Sequence, residues 1–301
     1  MPVVSQIVVQ KEYEKNTNIK PSDIKCIRDW LSKQPHLPKD HITDLDLILA
    51  FHCCECCSDT TKRVIDLNYT LRSLFTFYQL RTIDERLEGA LRTWLITPLA
   101  TTTKKGYRAI YCQLLDSDSQ KFIYGDVVRA FVMIMDLWLS EEGTAPGTVV
   151  IVNMDKVSLG HVSRIDLTVA QQFFYFLQEA MFVRLKEFHF INAPSFMDNL
   201  MSMVRPFMKK ELLEMLQVHP AGSSTVQEYI PISALPKDAG GDNKNGEQLR
   251  DEIWNKLKAN ENFFQEESKC RVDESKRPGG SKNLSTFFSG IDASFKRLEI
   301  D

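Results

Sequence analysis

The sequence has no uninterrupted apolar run approaching the roughly 20 residues that a membrane-spanning helix needs. Nor does it open with a signal peptide's apolar middle, because Lys11, Glu12, Glu14 and Lys15 interrupt the stretch from Met1 to Ile19. These absences predict a cytoplasmic chain. Positive charge is not in excess either: 37 Lys and Arg against 40 Asp and Glu give a formal net charge of -3. Nucleic acid is therefore excluded as the main partner, since phosphate binding rests on clustered cations. The 13 glycines form no G-x-G-x-x-G, no P-loop and no G-x-S-x-G elbow. Dinucleotide, nucleotide and hydrolase readings each lack their carrying motif.

What is present belongs to a folded protein: 301 residues, 43% hydrophobic and 26% charged, long enough for an α/β unit and a smaller helical one. Seven cysteines is an odd number, and four crowd into Cys53, Cys54, Cys56 and Cys57, unlike a secreted disulfide framework. They read as reduced thiols.

From Pro21 to about Leu95 apolar positions recur at helical spacing, as in Ile24, Ile27, Leu31 and later Leu67, Leu71, Leu74, Phe75. The segment Gln34-Pro35-His36-Leu37-Pro38 stops one of these helices. After Pro98 the pattern changes. Tyr107 to Leu115 reads as a strand and Asp126 to Leu139 as a helix buried on most sides. Gly147 to Met154 is a buried-strand run, Leu167 to Phe182 a helix and Lys186 to Ile191 a strand. Strand, helix, strand, helix, strand implies a mainly parallel sheet with helical crossovers. Ala193 to Met208 is again helical, Met215 to His219 a short last strand, and Pro236 to Gly246 a break. Beyond it, Leu249, Ile253, Trp254 and Leu257 mark an amphipathic helix, and Lys269 to Asn283 reads as a mobile polar linker. In the tail, Phe287, Phe288, Ile291, Phe295 and Leu298 offer something to bury.

Five features invite chemistry, and each has a plainer reading. On a continuous helix Cys53, Cys56 and Cys57 would share a face, but no second Cys/His pair completes a zinc site, so no metal is expected. Cys57 and Arg63 have phosphatase spacing, yet the loop between them has an aspartate and no glycine. Asp155, Ser158 and His161 follow a strand end, where α/β sheets often place ligands, but without an elbow His161 reads as a cap or surface histidine. His189 alternates with Phe188 and Phe190 and points away from both, as a satisfied core histidine. The run Phe173 to Phe176 covers every side of a helix, which by periodicity reads as packing. No catalytic residue and no cofactor are expected, so the chain is read as a non-enzyme.

The stretch Lys186-Glu187-Phe188-His189-Phe190-Ile191-Asn192-Ala193-Pro194-Ser195-Phe196 resembles the CRAL-TRIO lipid-binding family. So do Arg205-Pro206-Phe207, Tyr229-Ile230-Pro231 to Leu235-Pro236, and Gly240-Gly241. The likeness covers about Pro21 to Gly241 and is nearest the insect relatives of the alpha-tocopherol transfer and cellular retinaldehyde-binding proteins. It implies an α/β fold in three parts: a helical domain over 1–95, a CRAL-TRIO domain over 96–245 whose mainly parallel sheet floors an apolar cavity, and a C-terminal helix and tail over 246–301.

By that resemblance a gate helix lies within Ser195 to Phe207. The ligand-binding positions are Val128, Phe131, Met135, Ile151, Phe173, Phe176, Leu177, Met181, Met197, Leu200, Met203 and Val204. Phosphoinositide contact falls to Arg184, Lys186, Arg205 and Lys209, while Glu211 and Met215 stand where the tocopherol carrier has further cations. The implied function is intracellular binding and transfer of a small hydrophobic ligand, a retinoid, tocopherol, carotenoid or similar lipid, with transient membrane contact. The alternative is a lipid-sensing or scaffolding module acting through an unknown protein partner.

Overall fold

The computed structural model describes residues 3, 6–15 and 17–288. Six helices come first: α1 (Val9–Glu14), α2 (Pro21–Leu31), α3 (Asp44–Cys53), α4 (Ser58–Leu74), α5 (Thr76–Gln79) and α6 (Glu85–Thr93). Their starts follow local chemistry. Pro21 opens α2 where a missing N–H costs nothing. At α3 the Asp46 N–H donates to the Thr43 hydroxyl at 3.2 Å while the Asp46 carboxylate accepts from the Thr43 N–H at 2.8 Å. Ile24, Ile27, Leu31, Leu45, Ile48 and Ile65 form a separate small core for this bundle.

Helix α3 ends at Cys53, and Glu55 (φ 51°) and Cys56 (φ 58°) both adopt left-handed backbone. The cysteine cluster is thus a turn, and Cys53, Cys56 and Cys57 share no helix face. The Cys56 N–H closes that turn onto the Phe51 carbonyl at 2.9 Å.

The sheet has five strands in sequence order: β1 (Trp94–Pro98), β2 (Arg108–Leu114), β3 (Thr148–Asn153), β4 (Leu185–Ala193) and β5 (Leu216–Pro220). β1 runs antiparallel to β2 and the rest are parallel. The helical reading carried to Leu95 therefore ends too late, because Trp94 and Leu95 already belong to an edge strand. The crossovers are α7 (Tyr124–Glu142), the short α8 (Leu159–Val162) with α9 (Leu167–Glu179), and α10 (Met197–Val204) with α11 (Lys210–Met215). A 3₁₀ turn over Arg205–Phe207 joins the last two.

Strand alternation assigns the two faces. Ile110 pairs with Val150 and Val150 with Phe188, and all three join the core beneath α7, α9 and α10. Their neighbours Ala109, Tyr111, Val149, Ile151 and Ile191 pack on the other face against Val226, Ile230, Leu235 and Leu249. On that side Gly240 turns the chain at φ 84°, and a Cβ on Gly241 would lie 2.0 Å from the Leu235 carbonyl oxygen.

The C-terminal region closes the molecule with α12 (Gly246–Ala259), α13 (Glu261–Glu267) and α14 (Leu284–Phe288). Ile253, Leu257 and Phe264 sit in the main core. Residues 269–283, expected to be a mobile linker, are instead tied to the N-terminal helices. The Asp273 N–H donates to the His36 carbonyl at 2.9 Å, and Arg277 and Lys282 both reach Asp66. Phe287 and Phe288 pack against Tyr175, whereas Ile291, Phe295 and Leu298 lie outside the described residues. Among the described residues no helix is long and apolar enough to cross a membrane.

Candidate ligand-binding cavity

Between the sheet and its crossover helices lies a cavity of about 150 Å³. Its floor is the inward face of four strands: Ile96, Cys112, Val150, Val152, Phe188 and Phe190. Period-two alternation puts Val150 and Val152 there and sends Ile151 to the opposite face. One wall is α7, with Val127, Val128 and Phe131 at helical spacing, and the next is α9, with Phe173 and Phe174. The Phe131 and Phe173 rings meet edge to face, 5.3 Å apart, and join the two walls. Leu200 and Val204, four residues apart on α10, close the top.

Five of the twelve positions expected to meet ligand therefore line the cavity: Val128, Phe131, Phe173, Leu200 and Val204. Met135 and Met197 are buried in the main core outside the lining, and Met203 is only half-buried. Phe176 is fully buried against Tyr78, with ring centroids 5.0 Å apart. Leu177 and Met181 border a different cleft. The aromatic run thus divides its work, with Phe173 and Phe174 on the cavity, Tyr175 against the C-terminal phenylalanines and Phe176 in the core.

The lining includes residues that sequence reasoning passed over. Trp94 and Ile96 come from the unanticipated β1, and Phe122, Val157 and Ile165 from connecting segments. His161 is among them too. It does serve as a cap, accepting the Ser158 N–H at Nδ1 (3.2 Å), but it is 2% exposed and not a surface residue. Its position just past the end of β3 was the available signal. His189, as expected, points away from Phe188 and Phe190 and is buried beside His219, the ring nitrogens 3.0 Å apart.

A second cleft, of about 370 Å³, lies beside α9 and α11 and is lined by Arg184, Lys186 and Lys209 together with Glu55, Glu179 and Glu211. Two of the cations are engaged within the protein. Arg184 donates to the His52 carbonyl at 2.8 Å and pairs with Glu55 at 3.0 Å, and Lys209 pairs with Glu179 at 2.5 Å. Arg205 is exposed on the 3₁₀ turn and does not line this cleft. Among the described residues no group of three or more His, Cys, Asp or Glu is arranged to hold a metal ion.

A mostly parallel sheet under crossover helices, enclosing an apolar cavity behind a helical bundle, defines the class of protein. Residues 94–241 match the family model of the CRAL/TRIO domain, and residues 16–85 that of the Pinta-like, UBA domain. The chain carries a CRAL/TRIO domain over residues 94–241, the domain of a family of lipid-binding and lipid-transfer proteins. It is 23% identical to the alpha-tocopherol transfer protein-like protein of Homo sapiens over 272 residues, which is 86% of this chain and 75% of the relative. It is 21% identical to clavesin-2 of Rattus norvegicus over 174 residues, 58% of this chain and 53% of that one. A solved structure of Sfh5 aligns with 64% of this chain and 69% of its own, at a TM-score of 0.43 and 14% identity.

Proposed function

We propose that this chain encloses one small hydrophobic molecule in the cavity between the sheet and α7, α9 and α10, and carries it between membranes through the cytoplasm. The observation that carries this reading is the hydrocarbon lining of a cavity of about 150 Å³, where a packed core would leave almost no space. At about 25 cal/mol per Å² of apolar surface, a filled cavity repays several kcal/mol. We take the division to be a helical domain over 1–95, the lipid-binding domain over 96–245 and the C-terminal region over 246–301. The walls that meet ligand are Val128, Phe131, Phe173, Leu200 and Val204 together with the strand residues beneath them.

Exchange requires an opening, and α10 is the element we assign to it. It is eight residues long, ends in the 3₁₀ turn Arg205–Phe207 and presents Leu200 and Val204 to the cavity. Arg184, Lys186 and Lys209, in the cleft beside it, are proposed to meet anionic lipid head groups during docking, with Glu55 and Glu179 displaced as partners. The protein acts by binding and leaves its cargo chemically unchanged.

Native mass spectrometry and organic extraction of protein purified from its own source test this. The expected result is one apolar adduct per chain, which transfers between donor and acceptor vesicles and is recovered unaltered. An empty protein that takes up no lipid from vesicles overturns the carrier reading, and recovery of a converted lipid overturns the non-enzymatic part.

A further inference from the structure

Trp94, Cys112, Tyr124 and His161 bring polar atoms to an otherwise hydrocarbon lining. The Trp94 indole N–H is engaged with the Cys112 sulfur. His161 is held differently. The Ser158 backbone N–H reaches its Nδ1 at 3.2 Å, and the Ser158 hydroxyl lies 2.9 Å from the same nitrogen. A backbone N–H can only donate, so Nδ1 accepts and the neutral ring carries its hydrogen on Nε2. The Phe122 ring packs edge to face on the imidazole, 5.6 Å between centroids. Nε2 is buried and has no hydrogen-bond partner among the described residues. A buried donor without an acceptor carries its full desolvation penalty, so such a group in a cavity wall marks where a ligand atom belongs.

We infer that the Nε2–H of His161 receives an acceptor oxygen of the bound molecule, which makes the ligand an apolar body with a neutral carbonyl, ether or hydroxyl oxygen. This rests on reading the cavity as a ligand site, and it adds the chemical class. Neutrality follows from the lining, where no Lys or Arg is present to offset a buried carboxylate or phosphate. His161 then selects among apolar molecules of similar size, which the hydrocarbon walls cannot do.

The test uses the full chain and two probes that differ by one oxygen, 2-heptadecanone and heptadecane. Each is offered in phosphatidylcholine vesicles and quantified after the protein is reisolated. The ketone is expected to be retained about tenfold better, and His161→Phe to remove that preference while still taking up heptadecane. Equal uptake of the two probes by the native chain, or an unchanged preference in the variant, overturns the inference while leaving the cavity reading intact. Uptake of neither probe overturns both. Nitrogen NMR of the native histidine rings needs no variant. It should show His161 protonated on Nε2, with that nitrogen shifted by the ketone and not by heptadecane; a ring protonated on Nδ1 overturns the inference.

Discussion

Arg277 places Nη1 2.6 Å from the carboxylate of Asp66, a residue 211 positions earlier in the chain. The Arg277 side chain is 5% exposed, and its Nη2 donates to the Thr70 hydroxyl at 2.6 Å. Asp66 also meets His36 Nε2 at 2.8 Å and Lys282 Nζ at 2.7 Å, so one carboxylate on α4 gathers three groups from elsewhere. Burial alone would raise the Asp66 carboxyl, but hydrogen bonds from Lys282, Arg277 and His36 hold it below the usual carboxylate range. Its stabilising contribution is therefore present above the ordinary carboxylate pKa and is lost as pH falls through the lower, folded-state value.

Arg277→Ala should cost about 2–3 kcal/mol by leaving buried acceptors short of donors. Urea unfolding measures the loss. Limited proteolysis of the variant should cut between residues 270 and 283, where the native chain resists. Equal resistance in the two proteins would show that Phe287 and Phe288 hold the segment without the ion pair.

Filling the cavity should abolish uptake without unfolding the protein. Val152 faces the space from β3 and is only half-buried, so there is room beyond its methyl groups. Val152→Trp is expected to lower lipid uptake at least tenfold while the melting temperature holds or rises. Ile151→Trp, one residue away on the opposite face, should instead destabilise by overpacking, at about 1–3 kcal/mol. Thermal unfolding and vesicle uptake together separate the two faces.

The assignment of α10 as the gate has its own test. Met197 and Leu200 are both buried, so changing the pair to Asp sets two carboxylates against hydrocarbon. The helix should detach and an enclosed ligand should exchange faster, read as loss of a preloaded lipid to acceptor vesicles. Unchanged retention in a folded double variant would remove α10 from that role.

Four buried histidines predict a stability that falls in mild acid. Burial lowers the pKa of His52, to about 4, with the Arg184 charge adding to it, and burial likewise lowers those of His161, His189 and His219. The His189 pair shows a second cause. His219 Nδ1 lies 2.7 Å from the Thr225 hydroxyl, His219 Nε2 3.0 Å from His189 Nδ1, and His189 Nε2 3.1 Å from Glu187. A relay of neutral rings satisfies each of these contacts, whereas a charge on His189 disfavours one on His219. The unfolded chain thus takes up protons first. Stability is full above about pH 6.5 and declines toward pH 4, each such histidine contributing up to about 1.4 kcal/mol per pH unit within its window. His52→Gln should flatten that slope in a series of urea titrations, and a slope unchanged by the substitution would assign the acid sensitivity elsewhere.

The sequence by itself determined the elements whose signal is local. Nearly continuous apolar residues in Thr148–Asn153 and a helix apolar on most sides in Tyr124–Glu142 are legible because burial on both faces, or all round, needs only a short stretch of chain to be recognised. The family motifs were legible for the same reason. Pairing between distant segments was not. Trp94–Pro98 is five residues directly after a helix, and it becomes a strand because β2 supplies its hydrogen bonds. Ile151 was expected on the cavity and lies on the other face, since a shift of one residue reverses a strand's side chains and only register with β2 and β4 decides which side is which. Residues 269–283 are polar enough to pass for a linker, and His161 looks like any capping histidine. Their roles depend on Asp66 and on an empty space respectively, and tertiary packing alone decides where an ion-pair partner stands or where atoms are missing.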